Sequence, residues 1–482
     1  MNKSLWESEV SIPPREALTG SMKTDVAIIG AGLCGILTAY LLQKKGIDCI
    51  VLEADRIGSG QTGRTTAKIT SQHGLRYGKL IKAFGEEQAK QYAKANQEAI
   101  TAFRKIVSDL NIECDFTELP AYLYTTTDKD VLCEELAAAR RLGIDADLTD
   151  IPDLPIKTIA ALRFFNQAQF QPLKFLAALA EKVKVFEKTK VIEVKEGEAA
   201  TEKGSVFANN IVLAVHYPFI ITPGYYFLRM HQERSYAIAL DNAPNIKGMY
   251  IGIEENGLSY RNSGHHLIIA GGNHRAGENT EGGKYEELRH AAQQYFPECT
   301  EVAHWSAQDC MPIDGVPYIG LFSKSTPNLY VGTGFQKWGM STSMAAARVI
   351  SEMIIGNEHP YPVFSPQRFK LSPSAKALYG EGVHSVKGLS KGFFHIPKET
   401  VDSVKNSSGA IVEHNGEKYA VYKDENGKVY AVSPRCTHMG CQLEWNPDEL
   451  SWDCPCHGSR FDIYGKVIDN PALKDLSAYK YE

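Results

Sequence analysis

Val26-Ala27-Ile28-Ile29-Gly30-Ala31-Gly32-Leu33-Cys34-Gly35 decides how the first two-thirds of this chain folds. The apolar run from Asp25 to Ile29 ends in glycines and reads as a buried parallel strand. Leu33 to Lys45 follows as a helix and Asp48 to Glu53 as a second strand, which makes a βαβ unit. The glycines spell G-x-G-x-x-G. Gly30 allows a tight turn, Gly32 lets the backbone approach a pyrophosphate, and Gly35 permits close helix packing. The helix N-terminus then offers amide donors and a positive dipole end to that pyrophosphate. Glu53 ends the second strand, placed to accept a hydrogen bond from ribose hydroxyls. A bare glycine-rich turn is the alternative. The strand, helix and acid around this one favour a dinucleotide, and the fingerprint alone leaves FAD or NAD open.

Working outward, Glu86 to Leu110 is a long helix, because Tyr92, Ala95, Ala99, Phe103, Ile106 and Leu110 step by three or four. Ile211–Val215 is another apolar strand. Tyr236–Leu240, Met249–Ile253 and Leu267–Ala270 make the stretch from Glu233 to Gly271 mostly β. A last helix is expected from Ser343 to Ile355. Residues 359–391 carry four prolines and weak periodicity and read as a linker, and 392–482 as a separate all-β domain of short strands and turns.

The 482 residues carry a formal charge of −5, which argues against a nucleic-acid partner. The first 23 residues lack the apolar core of a signal peptide, and no apolar stretch escapes glycine long enough to span a membrane. A cytoplasmic protein is expected. Six of the ten cysteines are scattered, as inert core thiols usually are, and four crowd between 436 and 456.

That crowd reads Cys436-Thr437-His438, then Cys454-Pro455-Cys456-His457. Two cysteines and two histidines suit two irons in different environments, thiolates on one and imidazoles on the other. Tetrahedral zinc accepts the same donors, but its loops usually pair like with like. Here each loop supplies one of each type, which favours the two-iron cluster, with Cys436, His438, Cys454 and His457 as ligands.

The segment closely resembles the Rieske 2Fe-2S family over about the last ninety residues. The resemblance implies a disulfide between Cys441 and Cys456, and a proline loop covering the cluster at Asn470-Pro471-Ala472. It also implies a hydrogen bond from Ser459 to a bridging sulfur. Where high-potential members carry tyrosine this chain has Phe461. One hydrogen bond is lost, so a potential below theirs is expected.

Gly58-Ser59-Gly60-Gln61-Thr62-Gly63-Arg64-Thr65-Thr66-Ala67, Asp314-Gly315-Val316-Pro317, and Gly332-Thr333-Gly334-Phe335 with Gly339-Met340 complete a second pattern. With the fingerprint they resemble the D-amino-acid-oxidase-like FAD oxidoreductases over residues 24–356. The resemblance implies an α/β Rossmann-like FAD-binding domain with a β-rich substrate domain, ahead of the all-β Rieske domain. It places FAD-binding parts at about 24–110, 155–222 and 306–358, a substrate lobe at 111–154 and 223–305, and an N-terminal extension at 1–23. It brings Arg64, Thr65 and Thr66 to the flavin and pyrophosphate, Val191 to the adenine, and Gly334, Phe335, Gly339, Met340 and Thr342 to the flavin ring. The early loop has no histidine before His73, and Cys310 does not fit the cysteine pattern of covalent relatives, so FAD is expected to bind non-covalently. Arg229, His231, Tyr260, Arg261, His274 and Trp338 are candidates for the substrate pocket, each with a plainer reading as surface charge or core aromatic.

The expected reaction is dehydrogenation of a C–N bond in a small amine or amino acid, with electrons passing singly from FAD to the cluster and on to an external acceptor. The reverse flow, from an outside donor through the cluster to FAD, is the second reading. A carrier or sensor with little turnover is the third.

Overall fold

The computed structural model describes residues 2–150, 154–368 and 400–479. Met22–Ile29 lies at the centre of the first sheet, parallel to Cys49–Leu52 on one side and to Gly204–Leu213 on the other. Lys184–Phe186 and Leu329–Thr333 extend the parallel core outward on either side. Val26 to Ile29 are buried, as a strand covered on both faces requires. The helices Leu33–Gln43 and Gly339–Ile354 pack against each other beside this sheet. The latter starts four residues earlier than its sequence implied. Met340 to Ala347 are all buried, and packing outweighs the poor helix propensity of Gly339 and Ser341.

The second sheet has eight strands, in the order Thr300–Pro312, Met230–Asp241, His266–Arg275, Ser259–Ser263, Met249–Gly252, Ala121–Thr125, Ala160–Phe164, Ala146–Thr149. All its pairings are antiparallel except Met249–Gly252 with Ala121–Thr125. The C-terminal domain has two four-stranded antiparallel sheets. Leu443, Trp445, Trp452 and Phe461 fill its core.

Two segments set apart by sequence are built into the first domain. Residues Leu5–Glu9 form a helix whose Trp6 is fully buried. Of the expected linker, 359–368 packs closely: Val363 and Phe364 are buried, and Arg368 pairs with Asp314. Residues 369–391 lie outside the described residues.

The C-terminal domain is docked on the strands Met230–Asp241 and Thr300–Pro312. Its anchor is a buried charged node. Arg234 from the first domain meets Glu449 from the second, and Arg460 pairs with Glu449, Asp453 and Asp469. Burial disfavours the carboxylates. Arg460 and Arg234 outweigh it and hold Asp453 and Asp469 below the usual range. Nearby, Asp448 accepts from the backbone amides of Gly283 and Lys284 and from Asn279 Nδ2. Among the described residues no helix is long and apolar enough to cross a membrane.

Candidate functional site

A cavity of about 860 Å³ runs between the two sheets and under the C-terminal domain. That is the size of a cofactor or ligand cleft. Gly30, Gly32, Glu53, Arg64, Thr65, Thr66, Val191, Gly334, Phe335, Gly339 and Met340 all line it. Gly35 and Thr342 stand behind the wall. A side chain at Gly35 collides with the Gly30 carbonyl, so its role is the close turn-to-helix packing read from the motif. Thr342 is buried one turn into its helix.

The glycine turn fits a pyrophosphate. Gly30 has φ of +105°, and a Cβ there lies 2.7 Å from the Ala214 carbonyl oxygen. Only glycine sits there without strain. Glu53 is pushed up by burial, and its carboxylate accepts from the amides of Ala31 at 2.7 Å and Asp55 at 2.9 Å.

The loop 64–67 is held by side chains remote in sequence. Trp305 Nε1 donates to the Arg64 carbonyl at 2.9 Å and Trp6 Nε1 to that of Thr65 at 2.6 Å. Arg261 donates to the carbonyls of Thr66 and Ala67 at 3.0 and 2.8 Å. Each of these carbonyls is satisfied, so the stretch that leaves the 3-10 turn Gln61–Arg64 is fixed by remote side chains.

Of the substrate candidates, Trp338 lies in the cavity wall, stacked on His73 at 4.7 Å. The others lie outside it. Arg261 braces the loop just described. Arg229 sits over the Tyr318 ring at 4.1 Å and donates to the Pro366 carbonyl. Tyr260 is buried against Phe296. His231 faces Glu233 at 3.5 Å. His274 Nδ1 donates to the Arg275 carbonyl at 2.7 Å, which leaves Nε2 to accept from the Tyr236 hydroxyl at 3.0 Å. Tyr236 does line the cavity, so His274 meets the cavity wall only through that residue.

Sequence reasoning missed two groups in the wall. Lys68 is a buried amine whose Nζ donates to the hydroxyls of Thr66, at 3.3 Å, and Ser259. Among the described residues it forms no ion pair. Burial and the nearby Arg261 charge lower it to about 7. Asp309, half-buried near Lys337 and Glu233, is pushed up to about 6 by desolvation. Lys68 had a signal: apart from His73 it is the only ionisable side chain from Thr65 to Leu75. Asp309 had none, because nothing in the sequence of an edge strand distinguishes a cavity-facing acid from a solvated one.

The second site is made of two turns of the same form. Gly440 N–H donates to the Cys436 carbonyl at 2.8 Å, and Gly458 N–H to the Cys454 carbonyl at 2.9 Å. Both glycines have positive φ, +78° and +76°. The turns are tied by the Cys441–Cys456 disulfide. They bring the Cys436 and Cys454 thiols close enough to couple electrostatically and the His438 and His457 rings to 5.0 Å, nearly perpendicular. The interaction with Cys454 pulls the Cys436 thiol down against the effect of burial, and Cys454 is raised correspondingly. His438 Nδ1 is buried with no hydrogen-bond partner among the described residues. A buried imidazole nitrogen left so, on a turn that also carries Cys436, suits a metal ligand better than a satisfied core histidine. Cys441 lies within the same 4.8 Å group of sulfurs as Cys454 and Cys456, but its bond to Cys456 removes both from the ligand set. Ser459 Oγ accepts from the Ala472 amide at 3.0 Å and so holds the Asn470-Pro471-Ala472 loop against the second turn.

One site suits a carrier of electron pairs and the other a carrier of single electrons, which defines an oxidoreductase with both kinds of centre. The chain belongs to the D-amino-acid-oxidase type of FAD-dependent oxidoreductase, whose family model matches residues 25–353, and a Rieske [2Fe-2S] domain matches residues 396–480. It binds FAD and a 2Fe-2S cluster accordingly. It is 36% identical to a putative Rieske 2Fe-2S iron-sulfur protein, YhfW, of Bacillus subtilis, over 98% of this chain and 97% of that one. In fold it is similar to L-proline dehydrogenase from P. horikoshii (TM-score 0.63, 19% identity, 73% of this chain and 98% of that one). It is likewise similar to glycine oxidase from Geobacillus kaustophilus (TM-score 0.60, 18% identity, 73% and 97%).

Proposed function

We propose that this enzyme dehydrogenates the C–N bond of a small amino acid or amine and passes the electrons through the Rieske centre to an external acceptor. The observation that carries this reading is the shared cavity. One wall is the dinucleotide turn, the opposite wall is the face of the large, mostly antiparallel sheet, and the Rieske domain closes the remaining side. Proteins of the same fold act on L-proline and glycine. FAD supplies the acceptor for the substrate hydride, and the cluster takes electrons one at a time.

The chain's own residues orient the substrate. Lys68 and Ser259 stand together where the early loop meets the substrate sheet. As an ammonium with no acid partner among the described residues, Lys68 anchors an anionic group such as a substrate carboxylate. Trp338 and Tyr236 supply apolar wall, and the docked domain excludes water from the far side. Cys436 and Cys454 would hold one iron and His438 and His457 the other.

The test is anaerobic mixing of the cofactor-loaded protein with a panel of L- and D-amino acids, N-methyl amino acids and plain amines. Bleaching of the flavin by a member of the panel supports the reading. Bleaching by none, with ready reduction through a low-potential one-electron donor, shifts it to the reverse electron flow.

A further inference from the structure

The segment from Val467 to Asp475 belongs to the Rieske domain, yet its residues line the FAD cavity, Asp469, Asn470, Ala472 and Leu473 among them. We propose that this segment is a wall common to both cofactors, covering the cluster turns on one side and closing the FAD site on the other, so that FAD affinity and cluster environment are coupled.

The segment is bonded on both sides. Toward the cluster, its Ala472 amide donates to Ser459 Oγ, and Thr437 Oγ1 from the first turn donates to the Lys474 carbonyl at 2.6 Å. Toward the FAD domain, Lys190 Nζ donates to the Leu473 carbonyl at 2.6 Å, Gln61 Nε2 to Asp469 Oδ1 at 3.3 Å, and Asn470 Nδ2 to the Tyr217 carbonyl at 2.7 Å. Lys190 and Gln61 themselves line the cavity.

A pair of buried glutamines from the FAD domain locks the arrangement. Gln232 Nε2 donates to the carbonyls of His457, at 2.6 Å, and Asn470, at 3.1 Å. It therefore holds the cluster turn and the common wall with one amide. Gln308 Nε2 donates to the Gly458 carbonyl at 2.8 Å and to Gln232 Oε1 at 2.5 Å. The Gln308 backbone amide donates in turn to Gln61 Oε1 at 2.7 Å. Gly458 approaches so closely that a Cβ there lies 2.6 Å from Gln232 Cβ, which leaves no room for water. A chain of direct hydrogen bonds thus runs from the cavity wall to the cluster turn. Packed elements of this kind shift between discrete arrangements rather than deform continuously, so a displacement on one side is felt on the other. Linkage makes the effect reciprocal.

The test uses full-length, cluster-loaded protein stripped of FAD, with FAD titrated back and flavin fluorescence followed. Gln232→Leu and Thr437→Val are the variants, since neither side chain lines the cavity. The expected result is an FAD Kd raised roughly 5- to 20-fold in Gln232→Leu and less in Thr437→Val, at wild-type cluster content and circular dichroism. The cluster's midpoint potential in the wild type should differ between FAD-free and FAD-bound protein, with a smaller difference in Gln232→Leu. If Gln232→Leu does not fold, Thr437→Val and the wild-type potentials carry the test. FAD affinities within about twofold of wild type in every variant that folds, together with one cluster potential with and without FAD, overturn the proposal.

Discussion

The cluster site and the FAD cavity are built in opposite ways. All four proposed cluster ligands fall between positions 436 and 457, on two turns that repeat one hydrogen bond and one positive-φ glycine. The cavity wall draws on residues from Glu7 to Asp475, and its floor loop is pinned by Trp6, Arg261 and Trp305. A local site tolerates change elsewhere and fails when its own turns are touched. An assembled site can be weakened from many distant positions.

The largest expected effect sharpens that contrast. Cys454→Ser should leave the protein without its cluster, read as iron and acid-labile sulfide near zero per chain, while FAD stays bound, if more weakly. Complete loss of FAD as well would mean that the two sites do not form separately.

Breaking the node between them should cost stability. Arg460→Met leaves Asp453, Glu449 and Asp469 without their main partner in a buried setting, a loss of about 3–5 kcal/mol by urea unfolding. The pH dependence has a definite sign. Asp453 and Asp469 have folded pKa values below their unfolded ones, so their contribution is present above the unfolded value near 4 and is lost as pH falls through the folded values. The variant should therefore show a shallower acid limb.

In the substrate half of the cavity, Lys68→Met should raise KM for a carboxylate-bearing substrate roughly 10- to 100-fold with FAD content unchanged, the usual worth of a charged hydrogen bond. Since Lys68 is lowered to about 7, wild-type kcat/KM for such substrates should fall as pH rises past that point, and the variant should lack this limb. Equal loss for an uncharged amine substrate would remove Lys68 from the anchoring role.

The smallest effect concerns Phe461, buried in the Rieske core. Phe461→Tyr should raise the cluster's midpoint potential by restoring a hydroxyl near the sulfurs, measured by redox titration followed by electron paramagnetic resonance. No change, or a fall, would remove this residue from the account of the potential.

How much of this could be read in the sequence follows the same division. The βαβ unit, the long helix Glu86–Leu110 and the Cys-x-His and Cys-x-x-His turns are short-range patterns, and the structure has each of these elements in place. Gly30, Gly32 and Glu53 reached the cavity because their roles are set within one turn and one strand. Lys68 and Asp309 escaped because their burial depends on strands that arrive from Ser259 and Ser235. Trp6 escaped because a polar N-terminal segment gives little sign of packing on a loop sixty residues away. Arg261 was noticed, but its fully buried carbonyl contacts make it a brace for the loop and not a group in the cavity wall.

The central claim is that two-electron chemistry in the cavity feeds single electrons into the docked Rieske centre. Anaerobic stopped-flow with a substrate that bleaches the flavin tests it most directly, with cluster reduction followed by freeze-quench electron paramagnetic resonance. The account predicts flavin reduction first, then cluster reduction at a rate independent of protein concentration, as transfer within one docked chain requires. A cluster that stays oxidised while the flavin is fully reduced, or one reduced only in proportion to protein concentration, would contradict it.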